Sequence, residues 1–95
     1  MTAMFGNCTV FNQPLNSWDV SNVESFRWMF YNCSDFNQPL NNWDTSSLID
    51  IGYMFRGATS FNQNISNWNV SNVLHSELPW HEGCPIDEAN KPAGL

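Results

Sequence analysis

The sequence predicts an α/β solenoid of about three strand–helix copies, each 25 residues long. The first observation is a motif, Phe-Asn-Gln-Pro-Leu-Asn-Ser-Trp-Asp-Val, that begins at Phe11 and returns with small changes at Phe36 and Phe61. The second is that two further sets of aromatic residues recur at the same spacing. They form the columns Phe5, Phe30, Phe55 and Trp18, Trp43, Trp68. One copy alone buries too little apolar surface to offset the entropy of ordering its chain, so the copies must pack against each other.

Each copy contains a short alternation followed by helical spacing. Trp18 and Val20 are two residues apart with polar neighbours, which predicts a short, half-buried strand. Apolar residues then recur at helical spacing in the ranges 23–30 and 48–55, which predicts an amphipathic helix in each copy. The residues expected at the helix exits suit a left-handed backbone; they are Gly6, Asn32 and Gly57.

An asparagine column, Asn12, Asn37 and Asn62, follows the bend in each copy. A side-chain amide beside an open bend can bond backbone groups that would otherwise stay unsatisfied. We therefore expect these asparagines, together with the phenylalanine and tryptophan columns, to form a structural ladder from copy to copy.

The repeats define one unit, residues 1–86, followed by a polar C-terminal tail at 87–95. The chain begins in mid-repeat, so Met1, Met4 and Phe5 have no preceding copy to cover them. This open N-terminal end predicts weak stability or self-association. A degenerate fourth unit starts at about residue 79, and the stretch 78–86 is expected to act as a cap.

The net charge of −6, with only three basic residues, argues against binding to nucleic acid or to an anionic membrane surface. No apolar run is long enough to insert into a bilayer, and no signal peptide or anchor is visible. The chain itself therefore does not indicate a location. Cys8 and Cys33 share a repeat position, but free thiols are the more common state of such residues.

The motifs Met-Phe-x-x-Cys, Phe-Asn-Gln-Pro-Leu and Trp-Asp-Val/Thr-Ser-Asn-Val closely resemble those of the BspA-like leucine-rich-repeat surface proteins. They are most similar to the 25-residue subclass found in mycoplasma lipoproteins and other microbial surface proteins. The resemblance covers residues 1–73. It implies a leucine-rich-repeat-like α/β solenoid, an extracellular or cell-surface location, and adhesion or protein binding without catalysis.

If the expected strands line one face, their outward side chains form a polar and partly acidic strip. Its residues are Ser17, Asp19, Asn42, Asp44, Asn67 and Asn69. We interpret this strip as a binding surface for a protein or a glycan. Two alternatives stay open: an ordinary solvated face, and a structural spacer or gene fragment that has no ligand of its own.

Metal-binding or enzymatic chemistry is a remote alternative. Asp19 and Asp44 could lie side by side, but calcium takes about six to eight oxygen ligands. A structural zinc site takes about four ligands, and the candidates here are fewer: His75, His81 and Cys84. The sequence contains no recognisable phosphate loop or nucleophile motif. We expect no catalysis, no cofactor and no metal.

Overall fold

The computed structural model describes residues 2–75 and 80–95. Within these ranges the chain is built from turns and loops, and its one regular element is a short 3-10 helix, Glu88–Asn90. The described residues contain no α-helix and no β-strand. The prediction of a strand–helix solenoid with a leucine-rich-repeat fold is therefore wrong.

The helices fail to form because two residues in each copy have a left-handed backbone. Trp28 and Asn32 have φ angles of 63° and 57°, and Tyr53 and Gly57 have φ angles of 56° and 77°. A right-handed helix cannot pass through such residues. Each is instead the third residue of a tight turn, in which the N–H of the next residue donates to the carbonyl three residues before it.

The N–H groups in this part of each copy donate to backbone carbonyls of the next copy. In a helix they would donate to carbonyls four residues earlier in the same copy. The Trp28 N–H donates to the Gly52 carbonyl at 3.0 Å, and the Phe30 N–H donates to the Met54 carbonyl at 2.9 Å. Apart from half-buried Val23, the apolar residues that indicated the helices are nevertheless buried, because the successive turns direct them to one side. The periodicity identified the core correctly but not the backbone that carries it.

The predicted strands are irregular chain that follows a turn in each copy. No backbone hydrogen bond joins residues 18–20 to residues 43–45, so there is no strand pairing between these two copies at this level. The Trp18 N–H donates to the Leu15 carbonyl at 3.0 Å and closes a turn. Among residues 2–75 and 80–95, parallel pairing is limited to two isolated bridges, Ser25 to Asp50 and Asp50 to His75.

Residues 25 positions apart lie next to each other and build the core as columns of rings. The ring centroid of Phe30 is 5.8 Å from that of Phe5 and 5.4 Å from that of Phe55. Trp43 and Trp68 stack at 6.0 Å. The principal extents of the molecule are 30 × 24 × 22 Å.

The C-terminal segment packs against the third copy. The Ile65 N–H donates to the Asn90 carbonyl at 3.0 Å, and Trp80 and Ile86 are buried. Leu95 packs against the core. Two sequence expectations lie partly outside the described residues: Met1 of the open end, and residues 78 and 79, where the cap and the degenerate unit were expected to start.

Candidate functional site

The six residues of the expected binding surface are all exposed. We call them the polar strip; they are Ser17, Asp19, Asn42, Asp44, Asn67 and Asn69. Trp43 and Trp68 lie between members of the strip in sequence and are buried, at 4% and 5% exposure. The in–out alternation is therefore present, but irregular chain after a turn produces it rather than a strand.

Asp19, Asp44 and Asn69 occupy equivalent positions and hold equivalent turns. The Oδ1 atom of Asp19 accepts hydrogen bonds from the N–H and hydroxyl of Ser21, at 3.0 and 2.6 Å. The Oδ1 atom of Asn69 accepts the same pair from Ser71, at 3.0 and 2.7 Å. Asp44 accepts an N–H bond of 3.0 Å from the residue two positions on. A carboxylate and an amide serve this turn equally, because either supplies the oxygen.

The same bonds affect the two carboxyl groups. The hydroxyl of Ser21, and then its N–H, lower the pKa of Asp19 below its ordinary value. The hydroxyl and N–H of Ser46 lower the pKa of Asp44, while the charge of Asp19 opposes this shift.

The remaining strip residues differ in how far the fold uses their side chains. The Asn67 Nδ2 donates to the Asn41 carbonyl at 2.8 Å. Asn42 uses its backbone N–H, which donates to the Asn16 Oδ1 at 2.9 Å. Neither the Ser17 hydroxyl nor the Asn42 side-chain amide hydrogen-bonds to a described residue, so both can meet a ligand without breaking an internal contact.

The asparagine column connects consecutive copies. The Asn37 N–H donates to the Asn12 Oδ1 at 3.0 Å, and the Asn62 N–H donates to the Asn37 Oδ1 at 3.1 Å. The Asp87 N–H extends the series to the Asn62 Oδ1 at 2.9 Å. The amide oxygens of this column are occupied by backbone N–H groups, so the column serves packing between copies.

The tryptophan column is attached to the backbone of the preceding copy. The indole N–H of Trp43 donates to the Leu15 carbonyl at 2.9 Å, and that of Trp68 donates to the Leu40 carbonyl at 3.0 Å. Trp18 is half-buried, and its ring lies 5.9 Å from that of Phe5.

Sequence reasoning missed a half-buried ion pair between copies. The Arg27 Nε lies 2.7 Å from the Asp50 Oδ2, and the Asp50 Oδ1 accepts the Gly52 N–H at 2.9 Å. The repeat positions equivalent to Asp50 carry Ser25 and His75, so no column of like residues identified it. The sequence offered one indication of this pair, namely that an arginine and an aspartate stand at nearby positions in adjacent copies.

It also missed the glutamines beside the asparagine column. The Gln38 Nε2 donates to the Asn12 Oδ1 at 3.0 Å, and the Gln63 Nε2 donates to the Asn37 Oδ1 at 2.9 Å. The recurrence of Asn-Gln was visible in the motif, but the pairing of each glutamine with the preceding copy was not.

The residues of the remote metal alternative do not converge. Over residues 2–75 and 80–95, no three histidine, cysteine, aspartate or glutamate side chains gather as a metal site. The His81 ring packs edge-on against Trp80 at 4.5 Å, and burial, then the charge of Lys91, lower the pKa of His81. The described part of the chain encloses no cavity, and it has no helix with the length and hydrophobicity to span a bilayer.

All three cysteines are free thiols. Cys8 is exposed, whereas Cys33 is fully buried and its Sγ lies 2.8 Å from the Phe5 carbonyl oxygen. Burial raises the pKa of Cys33 to about 11.

The chain matches a known protein family over most of its length. A family model described as "Mycoplasma protein of unknown function, DUF285" matches residues 1–83, which include all three copies. No curated protein and no solved structure matches the chain. The match does not establish the finer resemblance to BspA-like repeats, and it gives no support to adhesion or to a leucine-rich repeat.

Proposed function

The chain belongs to the family described as Mycoplasma protein of unknown function, DUF285, and we propose that it is a non-catalytic interaction module that binds a protein or a glycan through the polar strip. One observation carries the proposal. All six strip residues are exposed at a regular spacing, while Trp43 and Trp68 between them are buried and Trp18 is half-buried. A ligand would therefore meet a row of polar groups on a well-packed support.

The proposal is supported by the fixed orientation of the strip. Asp19 and Asn69 are held by two hydrogen bonds each from the serine two residues on. A side chain that is ordered before binding loses less conformational entropy when the ligand arrives. Ser17 and Asn42 supply hydroxyl and amide groups that are not used internally, which suits hydrogen bonding to peptide or sugar groups.

A second candidate is a structural spacer without a ligand. It is favoured by the observation that Asp19, Asp44, Asn67 and Asn69 all have partners within the fold. On this alternative the strip exists to hold the turns, and its exposure has no functional consequence.

Substitutions that preserve the turns separate the two candidates. The variant D19N/D44N removes both charges but keeps the acceptor oxygen, as Asn69 does in the third copy. The variant S17A/N42A removes two unused polar groups. D35N/S60A is the matched control, because Asp35 and Ser60 are exposed and lie outside the strip.

Each protein is immobilised and tested against purified extracellular matrix proteins and a glycan array. We expect at least one ligand whose affinity falls about tenfold or more in D19N/D44N or S17A/N42A and not in the control. Absence of a ligand, or equal affinity across the variants, would favour the spacer.

A cell-surface location and common descent with the BspA-like repeats are part of the same proposal. They are supported by the Phe-Asn-Gln-Pro-Leu and Trp-Asp motifs of the first two copies. Loss of the protein when intact cells are treated with protease, with a cytosolic protein retained, would support the location; its retention would contradict it.

A further inference from the structure

A cluster of aromatic rings lies outside the buried core. The Trp28 ring stacks on that of Tyr53 with the centroids 4.2 Å apart, and the Tyr31 ring meets Trp28 edge-on at 4.8 Å. The Arg56 guanidinium carbon lies 5.7 Å from the centre of the Tyr53 ring. All four residues are half-buried, and none belongs to the polar strip. We call these four side chains the aromatic platform.

The backbone under the two stacked rings is unusual for aromatic residues. Trp28 and Tyr53 have φ angles of 63° and 56°, a left-handed conformation that bulky side chains rarely adopt. At the next left-handed position of the same copies the chain has Asn32 and Gly57, which accept this conformation more readily. Large rings are therefore not needed to make such a turn. Strained residues of this kind are concentrated at functional sites, which indicates a role for the rings beyond the turn.

The platform has the composition of a protein-binding surface. Tryptophan, tyrosine and arginine are the residue types that contribute most binding energy at contacts between proteins. The Trp28 indole N–H and the hydroxyl groups of Tyr31 and Tyr53 hydrogen-bond to no described residue, so they remain available to a partner. Sites for small molecules are concave, whereas the described residues enclose no cavity. The platform therefore fits the surface of another protein better than a small ligand.

The charge of Arg56 indicates the chemistry of that partner. The other two basic side chains, Arg27 and Lys91, lie 2.7 and 2.6 Å from carboxylate oxygens. The Arg56 guanidinium is 3.7 Å from a Glu82 carboxylate oxygen, which is too far for a hydrogen bond. An exposed pair at this separation contributes little stability, so Glu82 can turn to solvent. A guanidinium with unused N–H groups can bind an incoming carboxylate through two parallel hydrogen bonds.

We propose that the aromatic platform is a contact surface for an acidic segment of another protein. A carboxylate of that segment accepts hydrogen bonds from the Arg56 guanidinium, and apolar side chains beside the carboxylate cover the Trp28 and Tyr53 rings. The platform is additional to the polar strip and does not depend on what the strip binds. The chain would then have two separate binding surfaces.

The test begins with short random peptides displayed on phage and selected against the 95-residue chain. We expect the enriched peptides to contain more aspartate, glutamate and apolar residues than the starting library does. Each enriched peptide is then synthesised together with a form in which asparagine and glutamine replace the acidic residues. The neutral form should bind about tenfold or more weakly, because it loses the charged bond to Arg56.

Four variants show which surface the enriched peptides bind. W28N removes the indole but keeps a residue type that accepts the left-handed backbone, as Asn32 does. R56Q removes the guanidinium without changing a ring, so it remains a test even if W28N is unstable. K91Q makes the same charge change outside the platform, and D19N/D44N changes only the strip. We expect W28N and R56Q to weaken peptide binding about tenfold or more, and K91Q and D19N/D44N to leave it unchanged.

Hyaluronan and heparin are tested on the same proteins, because an anionic glycan also offers acceptors to Arg56. Several outcomes would overturn the proposal. They are enrichment of no peptide, enriched peptides without an excess of acidic residues, and wild-type affinity in both W28N and R56Q. Equal losses in R56Q and K91Q, or a loss in D19N/D44N as large as that in R56Q, would also overturn it. So would a dependence on Trp28 and Arg56 that appears with the glycans and not with the peptides.

Discussion

The indole N–H of Trp68 donates a hydrogen bond of 3.0 Å to the carbonyl oxygen of Leu40, in the preceding copy. Trp68 is 5% exposed, so water has little access to that carbonyl if the donor is lost. The bond thus ties the side chain of one copy to the backbone of another. A buried acceptor without its partner costs about 1–3 kcal/mol.

We expect W68F to lower the free energy of unfolding by about 2–4 kcal/mol, because it removes both the N–H and part of the packed ring. W18F is the matched control. Trp18 is half-buried, and its indole N–H donates to no described residue. Urea unfolding should show a clearly smaller loss for W18F. Equal losses would mean that the bond to Leu40 does not contribute.

The left-handed turn at Gly57 gives a second prediction. A Cβ atom at this position would collide with the Asn32 Oδ1, and φ is 77°. We expect G57A to destabilise the fold by about 1–3 kcal/mol. Gly94 has φ of 93° with no atom near its added Cβ, so G94A carries the backbone cost without the collision. If thermal unfolding shows the two variants to be equally destabilised, the contact with Asn32 has no energetic weight.

Thiol reactivity should separate Cys8 from Cys33. Only the thiolate reacts, and burial raises the pKa of Cys33 to about 11. At pH 8 about one Cys33 in a thousand is ionised, and the side chain is also inaccessible. We expect iodoacetamide to modify exposed Cys8 first, as followed by peptide mass spectrometry. Comparable rates for the two in the native protein, with both faster in denaturant, would contradict this.

Acid should destabilise the turn that Asp19 holds. The pKa of Asp19 is lowered from 3.8 in the folded state, so the unfolded chain takes up its proton first. Its contribution to stability is present above the unfolded value and is lost as the pH falls through the lower, folded value. D19N cannot titrate, so its urea midpoint should fall less between pH 7 and pH 3 than that of the wild type.

D35N removes one charge outside the strip and controls for net charge in the acid experiment. Its midpoint should fall with pH more steeply than that of D19N. If D19N and D35N respond alike, the hydrogen bonds from Ser21 are not the source of the effect.

The sequence was sufficient to predict which residues are buried and which are neighbours, but not the backbone. Periodicity alone brought Phe5, Phe30 and Phe55 into one column, and the structure has their rings 5.8 and 5.4 Å apart. The left-handed conformation of Trp28 and Tyr53 could not be foreseen, because bulky residues avoid it unless surrounding contacts impose it. Helical spacing and a series of tight turns bury the same residues, and only the turns agree with these φ angles.

The candidate strip was predictable for the same reason: exposure follows the repeat. The roles of its side chains could not be predicted from the repeat, because the contact between Asp19 and Ser21 is formed within one turn and not between copies. The Arg27–Asp50 pair was missed because it occurs in one pair of copies and leaves no recurrent pattern.

Because the Asn37 amide meets the N–H of Asn62, 25 positions later, the fold constrains how the length of the gene can change. Inserting a single codon between these two asparagines would shift every later partner by one place and break several bonds at once. Removing or duplicating a whole 25-codon block would restore equivalent partners on both sides of the junction. Length variants should therefore survive in steps of one complete block, and intermediate sizes should be eliminated by selection.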